Sequence, residues 1–300
     1  MRSDARFSSS SAPGSSCIVT DLLRRRLLLA GSSLMLAGTA LAQTASHTVA
    51  EPVFGTPGKD SGWIPTPEGM VEAMLRLGKT TREDYVVDLG SGDGRIPILA
   101  ARIFGARSMG VEYNPALVAF SQQRARNAGL AERVRFIQGD VFEVDFSSAT
   151  VVTLFMPPAF NQKLRPRLLA MKPGTRILSF IFGMGDWEPD ESVFVEDQRG
   201  MLWIVPAQMG GAWTVNVEGP DPARYALRLD QQHQKLDGRI TIDTAPLPLF
   251  DARIDADRVR FTALPNGRRH DFDGRLVGGR IEGTLRVTGV PALRRFTAVR

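Results

Sequence analysis

Three glycines alternate with polar residues in Asp88-Leu89-Gly90-Ser91-Gly92-Asp93-Gly94-Arg95. Alternate glycines let a backbone turn sharply and come close to a ligand where a Cβ would collide. A dinucleotide fingerprint needs Gly-x-Gly-x-x-Gly, but here the third glycine is Gly94 and the dinucleotide position holds Arg95. A phosphate-cradling loop would need Gly-x-x-x-x-Gly-Lys-Ser/Thr, which is absent. Asp88, on the strand just before the glycines, would repel a phosphate but suits a ligand carrying an ammonium and a sulfonium. Glu112 ends the next apolar run, where a carboxylate can accept hydrogen bonds from both hydroxyls of a ribose. Asp140, in Gln138-Gly139-Asp140-Val141, is placed to meet an adenine amino group. Neither a Gly-x-Ser-x-Gly elbow nor a His-Glu-x-x-His pair is present.

These residues need strand ends to hold them. Tyr85–Leu89, Met109–Glu112, Val134–Ile137, Thr150–Phe155 and Arg176–Phe180 are short apolar runs. Between them lie the helical patterns 96–104, 115–128 and 161–171. Strands alternating with helices predict an α/β fold, a Rossmann-like, doubly wound, mainly parallel sheet, with ligands at the carboxyl ends of its strands. After about Trp203 the pattern changes to alternating runs such as Tyr225–Leu229, separated by Gly, Asp and Pro, which predicts a C-terminal antiparallel β domain. Leu236–Ile240, Phe250–Ile254 and Phe272–Leu276 form a degenerate repeat in this region. Each is read as a hairpin turn between two apolar residues.

In this order and on these elements, Asp88 to Arg95, Glu112 and Asp140 resemble the class I S-adenosylmethionine-dependent methyltransferases, over about residues 60–208. More narrowly, residues 88–95, 110–121 and 163–180 are similar to the mitochondrial protein-lysine methyltransferases that include the ATP synthase c-subunit enzyme, and to their bacterial relatives. The resemblance implies S-adenosylmethionine as cofactor. Asp88, Gly90 and Gly92 would line its methionine, Glu112 the ribose and Asp140 the adenine, with Ser91, Gly94, Tyr113 and Val141 as further cofactor-binding residues. Trp63 and Pro65 are similar to a proline-containing stretch that closes over cofactor and substrate; Pro67 and Glu68 equally suit a helix start. Met156 and Pro157 follow the fourth strand. There many amino-directed methyltransferases carry Asp/Asn-Pro-Pro-Tyr/Phe, but this chain keeps the prolines without the acid or the aromatic, which disfavours adenine or glutamine amide as acceptor. Trp187 is either a channel wall or a core residue. Tyr113 and Asp186 are candidate proton acceptors for a lysine nucleophile.

The expected activity is methyl transfer to a protein lysine or another nucleophile, on a protein or a small molecule. The alternative is an inactive, exported binding protein that keeps the pocket. Export enters because Arg24, Arg25 and Arg26 precede an uncharged run, Leu27–Ala42, ending Ala40-Leu41-Ala42. This pattern reads as a signal peptide, similar in part to a twin-arginine signal, and implies a periplasmic or secreted protein. The location is cytoplasmic if translation starts downstream. The run is too short for a membrane span.

The expected organisation is a leader (1–42), a linker (43–62), a methyltransferase domain (63–208) and a β-rich domain (209–300). The chain has 37 basic and 32 acidic residues, a net +5. Five of the former and two of the latter fall in 1–42, so the remainder is nearly balanced, at 32 and 30. The charge therefore says little about a nucleic-acid partner, and the interleaving of Arg with Asp in the β region, read as solvated pairs rather than a basic groove, disfavours one. One cysteine, Cys17, and three dispersed histidines argue against a metal.

Overall fold

The computed structural model describes residues 49–58 and 62–300, so the leader pattern lies outside the described residues. Residues 48–300 form one compact unit. No helix among the described residues is long and apolar enough to cross a membrane.

The first half is a seven-stranded sheet ordered β3-β2-β1-β4-β5-β7-β6. Its strands are β1 (Tyr85–Leu89), β2 (Arg107–Glu112), β3 (Val134–Gln138), β4 (Val151–Leu154), β5 (Arg176–Phe180), β6 (Glu191–Val195) and β7 (Gln198–Ile204). The first five are parallel; β7 runs antiparallel to β5 and pairs with β6. The helices are α1 (Glu68–Leu77), α2 (Arg95–Phe104), α3 (Pro115–Asn127) and α4 (Pro158–Leu169). The order reverses between β1 and β4, which opens a crevice outside the carboxyl end of β1. Local chemistry sets the helix starts around it. Gly94, at φ 77°, ends the glycine turn and N-caps α2. Asn114 caps α3 by accepting from Ala116 N, with Pro115 in the first turn. At the far end of the sheet, Arg176 pairs with Asp84 and donates to Gly78 O at 2.9 Å, tying β1, β5 and α1 together.

The second half is a barrel built from β8 (Gly211–Val217), β9 (Ala223–Gln232), β10 (Lys235–Ile242), β11 (Ala245–Pro248), β12 (Phe250–Asp255), β13 (Arg258–Ala263), β14 (His270–Val277), β15 (Arg280–Val287) and β16 (Arg294–Val299). Each strand runs antiparallel to its neighbours, and β16 returns to β8, with Val299 opposite Thr214. β11 and β12 act as one bent strand. β10 pairs with β11 from Arg239 to Ile242 and with β12 only at Lys235–Arg253. This makes an eight-stranded up-and-down ring, a size whose interior side chains can fill. They do: Trp213, Leu227, Ile240, Phe261, Phe272 and Phe296 are among the buried residues of one continuous core.

The three repeat segments are not turns. Each lies inside a strand, in β10, β12 and β14. Gly238 has φ 156°, and a Cβ there would lie 2.1 Å from Arg228 O. Gly274 faces Gly283 across β14–β15, where a Cβ on Gly283 would lie 2.2 Å from Asp273 O. Phe250–Arg253 carries a bulge. These are devices for curving strands into a small barrel. The turns fall elsewhere, for example at His233 and Ala256, both with positive φ.

Candidate active site

One pocket lies over the carboxyl ends of β1 and β2. Of the residues expected from sequence it gathers Trp63, Pro65, Asp88, Gly90, Ser91, Glu112, Tyr113, Asp140, Val141 and Met156. The glycine turn is fixed by Gly90 N and Ser91 N, which donate to Val111 O at 2.9 and 3.0 Å. Gly92 does not line the pocket; its N–H donates to Glu112 Oε2 at 2.9 Å. Asn114 N donates to the other oxygen, Oε1, at 2.9 Å. The two amides fix the carboxylate plane and leave further lone pairs on both oxygens. Gly94 serves packing, since a Cβ there would lie 2.5 Å from the Phe136 ring.

Asp88 is 2% exposed and accepts from Thr153 Oγ1 at 2.6 Å. No arginine or lysine among the described residues pairs with it. Burial, opposed by the Thr153 hydrogen bond and reinforced by the charges of Asp93 and Glu112, pushes its pKa up to about 7. A cation brought by a ligand would relieve that penalty. Asp93, one turn on, faces the opposite situation: Arg95 Nη2 lies 2.9 Å away and Arg124 also pairs with it. Arg95 Nη1 in turn donates to Thr66 O at 2.9 Å, which ties the segment before α1 to the glycine turn.

That segment takes both roles expected of it. Pro67 N-caps α1, while Trp63, Ile64, Pro65 and Thr66 line the pocket. A Cβ on Gly92 would lie 2.3 Å from the Trp63 ring, so the indole lies directly on the turn. Gly55 and Thr56 exchange backbone hydrogen bonds with Trp63, and Asn114 Nδ2 donates to Pro57 O at 2.7 Å. The strap is thereby held to the start of α3.

The other expected residues fall outside the pocket. Trp187 is fully buried, with its ring 6.3 Å from Trp203, whose Nε1 donates to Trp187 O at 2.8 Å. It is a core residue, not a channel wall. Pro157 N-caps α4. The hydrogen bond from Arg165 holds the pKa of Asp186 down to about 2, which makes it a poor proton acceptor. Asp186 also reaches the barrel, with His233 Nε2 3.4 Å away. Sequence reasoning missed Phe142, Phe155 and Phe160, which complete the apolar wall. Their one signal was position, Phe142 and Phe155 shortly after β3 and β4 and Phe160 in the first turn of α4.

The donor set fits S-adenosylmethionine. The pocket offers an uncompensated buried carboxylate for a cation, a second carboxylate held by two amides, aromatic walls and a buried Ser91 Oγ with no hydrogen-bond partner among the described residues. No group of His, Cys, Asp and Glu side chains among the described residues could hold a metal ion.

A family model described as the ANTKMT methyltransferase domain matches residues 88–191. The protein-lysine N-methyltransferase of Saccharolobus islandicus is 42% identical over 137 residues, 45% of this chain and 85% of that enzyme. The mouse ATP synthase c-subunit lysine N-methyltransferase is 34% identical over 157 residues, 52% of this chain and 63% of that enzyme. A solved RNA methyltransferase from Salinibacter ruber, bound to S-adenosyl-L-homocysteine, is 48% identical. Its match covers 49% of this chain and 96% of that one, with a TM-score of 0.48.

Proposed function

Because the chain belongs to the class I S-adenosylmethionine-dependent methyltransferase family that includes the archaeal protein-lysine enzyme, we propose that it methylates the Nζ of a lysine on a protein acceptor. One observation carries the reading: Asp88 and Glu112, both buried, flank the glycine turn and face one pocket. S-adenosylmethionine, when bound, supplies a methyl group already activated by its sulfonium.

The chain's own work is alignment and exclusion of water. Asp88 would hold the ammonium and Glu112 the ribose hydroxyls. Trp63 and Thr66 cover the pocket from the strap side, while Phe155 and Met156 offer an apolar path for a lysine stem. Among the described residues, the carboxylates lining the pocket are those of Asp88, Asp93, Glu112 and Asp140. The lysine gives up its proton before entry, to water or to Tyr113, the candidate acceptor that lines the pocket.

The test is calorimetry with S-adenosyl-L-homocysteine, followed by transfer of labelled methyl to protein and identification of methyl-lysine after hydrolysis. Asp88→Ala is expected to lose binding by about 100-fold or more, as removal of a buried charged contact does. Binding unchanged by Asp88→Ala would end the reading. The inactive-binder alternative rested on the export pattern, and no residue of the pocket favours it. For location, the reading is export, supported by Arg24–Arg26 and the run to Ala42. Amino-terminal sequencing of the native protein tests it, and an intact Met1 with the protein in the cytoplasm would overturn it.

A further inference from the structure

After β5 the chain makes a turn that its residues do not favour. Ile181 takes a left-handed φ of 62°, a conformation that β-branched residues adopt only under constraint. Several groups supply the constraint. Ile181 N donates to Arg199 O at 2.8 Å, Phe182 N to Phe180 O at 2.7 Å, and Ser179 Oγ to Phe182 O at 2.6 Å. Asn161, fully buried in the first turn of α4, brings Nδ2 to 3.1 Å from Phe182 O and 3.3 Å from Gly183 O. Its Oδ1 is buried with no partner among the described residues.

A half-satisfied buried amide is costly, and an apolar side chain would avoid the cost, so packing alone does not account for an asparagine here. What the turn achieves is the position of two rings. Phe182 stacks on Phe155 with centroids 5.9 Å apart and planes 17° apart, and Phe155 packs against Phe180 at 4.7 Å. Phe155 lines the pocket, and both it and Phe182 stay half-exposed. Strain held in place beside a pocket is a recurring sign of a functional constraint.

We propose that Asn161 is a positioning residue for the methyl acceptor. By holding the carbonyls of Phe182 and Gly183 it fixes the Phe155–Phe182 wall, against which the alkyl stem of the acceptor side chain lies. Asn161 itself does not line the pocket. The inference rests on the lysine methyltransferase reading of the site.

The experiment uses two calorimetric probes on the purified protein: S-adenosyl-L-homocysteine, and a bisubstrate analogue in which an aminobutyl chain replaces the transferred methyl. The wild type is expected to bind the analogue about tenfold more tightly than S-adenosyl-L-homocysteine. Asn161→Leu should erase that margin while moving the S-adenosyl-L-homocysteine Kd by less than about twofold, and Asn161→Gln should keep part of it. Phe182→Leu should match Asn161→Leu, and the double variant should lose no more than either single one. Ser179→Ala loosens the same turn and serves if Asn161→Leu does not fold. An Asn161→Leu protein that keeps the margin, or weakens both probes equally, overturns the proposal. A wild type that binds S-adenosyl-L-homocysteine without any margin overturns the lysine reading itself, a separate result.

Discussion

With its pKa pushed up to about 7, Asp88 holds or releases a proton around neutral pH. A cationic ligand favours the ionised form, so binding expels whatever proton is there. S-adenosylmethionine affinity is therefore expected to rise with pH up to about 7 and then level off, and below 7 the heat of binding should vary with the ionisation heat of the buffer. For stability the sign runs the other way. The folded pKa lies above the ordinary 3.8, so between these values the native state keeps a proton that the unfolded state has lost. The ligand-free protein should lose stability as pH rises from about 4 to about 7. Asp88→Asn should therefore melt above the wild type at alkaline pH while failing to bind the cofactor, a stability gain at the expense of function. A variant melting no higher there would refute the assignment. Asp88, Glu112 and Asp140 were legible because each sits at or just past the end of an apolar run, and a strand end says where a side chain sits. Trp187 was not, because being just after a strand does not say which way the loop turns. It turned toward Trp203. The partners of Asp186, Arg165 and His233, come from α4 and from the barrel, a pairing no local pattern encodes.

For the elements, the parallel strands and their helices were readable because buried runs alternate with helical periodicity. The Asp-Gly segments of the β region misled for a physical reason. Asp-Gly between apolar residues is a strong hairpin signal, but it reports only that glycine's freedom is needed. In a tightly curved barrel the same freedom serves close approach within strands. Gly283 shows the same close approach outside those segments, since any Cβ would press on Asp273 O. Gly283→Val should destabilise the barrel by about 3 kcal/mol in denaturant titration, at the upper end for overpacking. The Kd for S-adenosyl-L-homocysteine should not change. Loss of less than about 1 kcal/mol would mean that β14 and β15 part easily.

As a whole, the described chain keeps two sets of cores. The barrel has its own, and the cores of the sheet half contain none of its residues. The contacts between the halves include His233 near Trp187 and Asp186, Gln234 Nε2 donating to Glu188 O at 2.6 Å, Lys235 paired with Glu188 at 2.7 Å, and Ala207 N donating to Ala256 O at 2.8 Å. Calorimetric unfolding should resolve two transitions, of which S-adenosyl-L-homocysteine raises one and Gly283→Val lowers the other. A single transition moved by both would show that these contacts couple the halves fully. The change of texture near Trp203 announced a second region, but closure depends on Val299 meeting Thr214, which only the folded chain reveals.

That closing pair has a further consequence. The chain enters the barrel at Gly211 and leaves it at Val299 on adjacent strands, so the module behaves topologically as a cassette with neighbouring ends. It can in principle be excised, exchanged for another closed barrel or rejoined with new ends at the Gly278–Gly279 turn, without rethreading any strand of the sheet that carries the pocket.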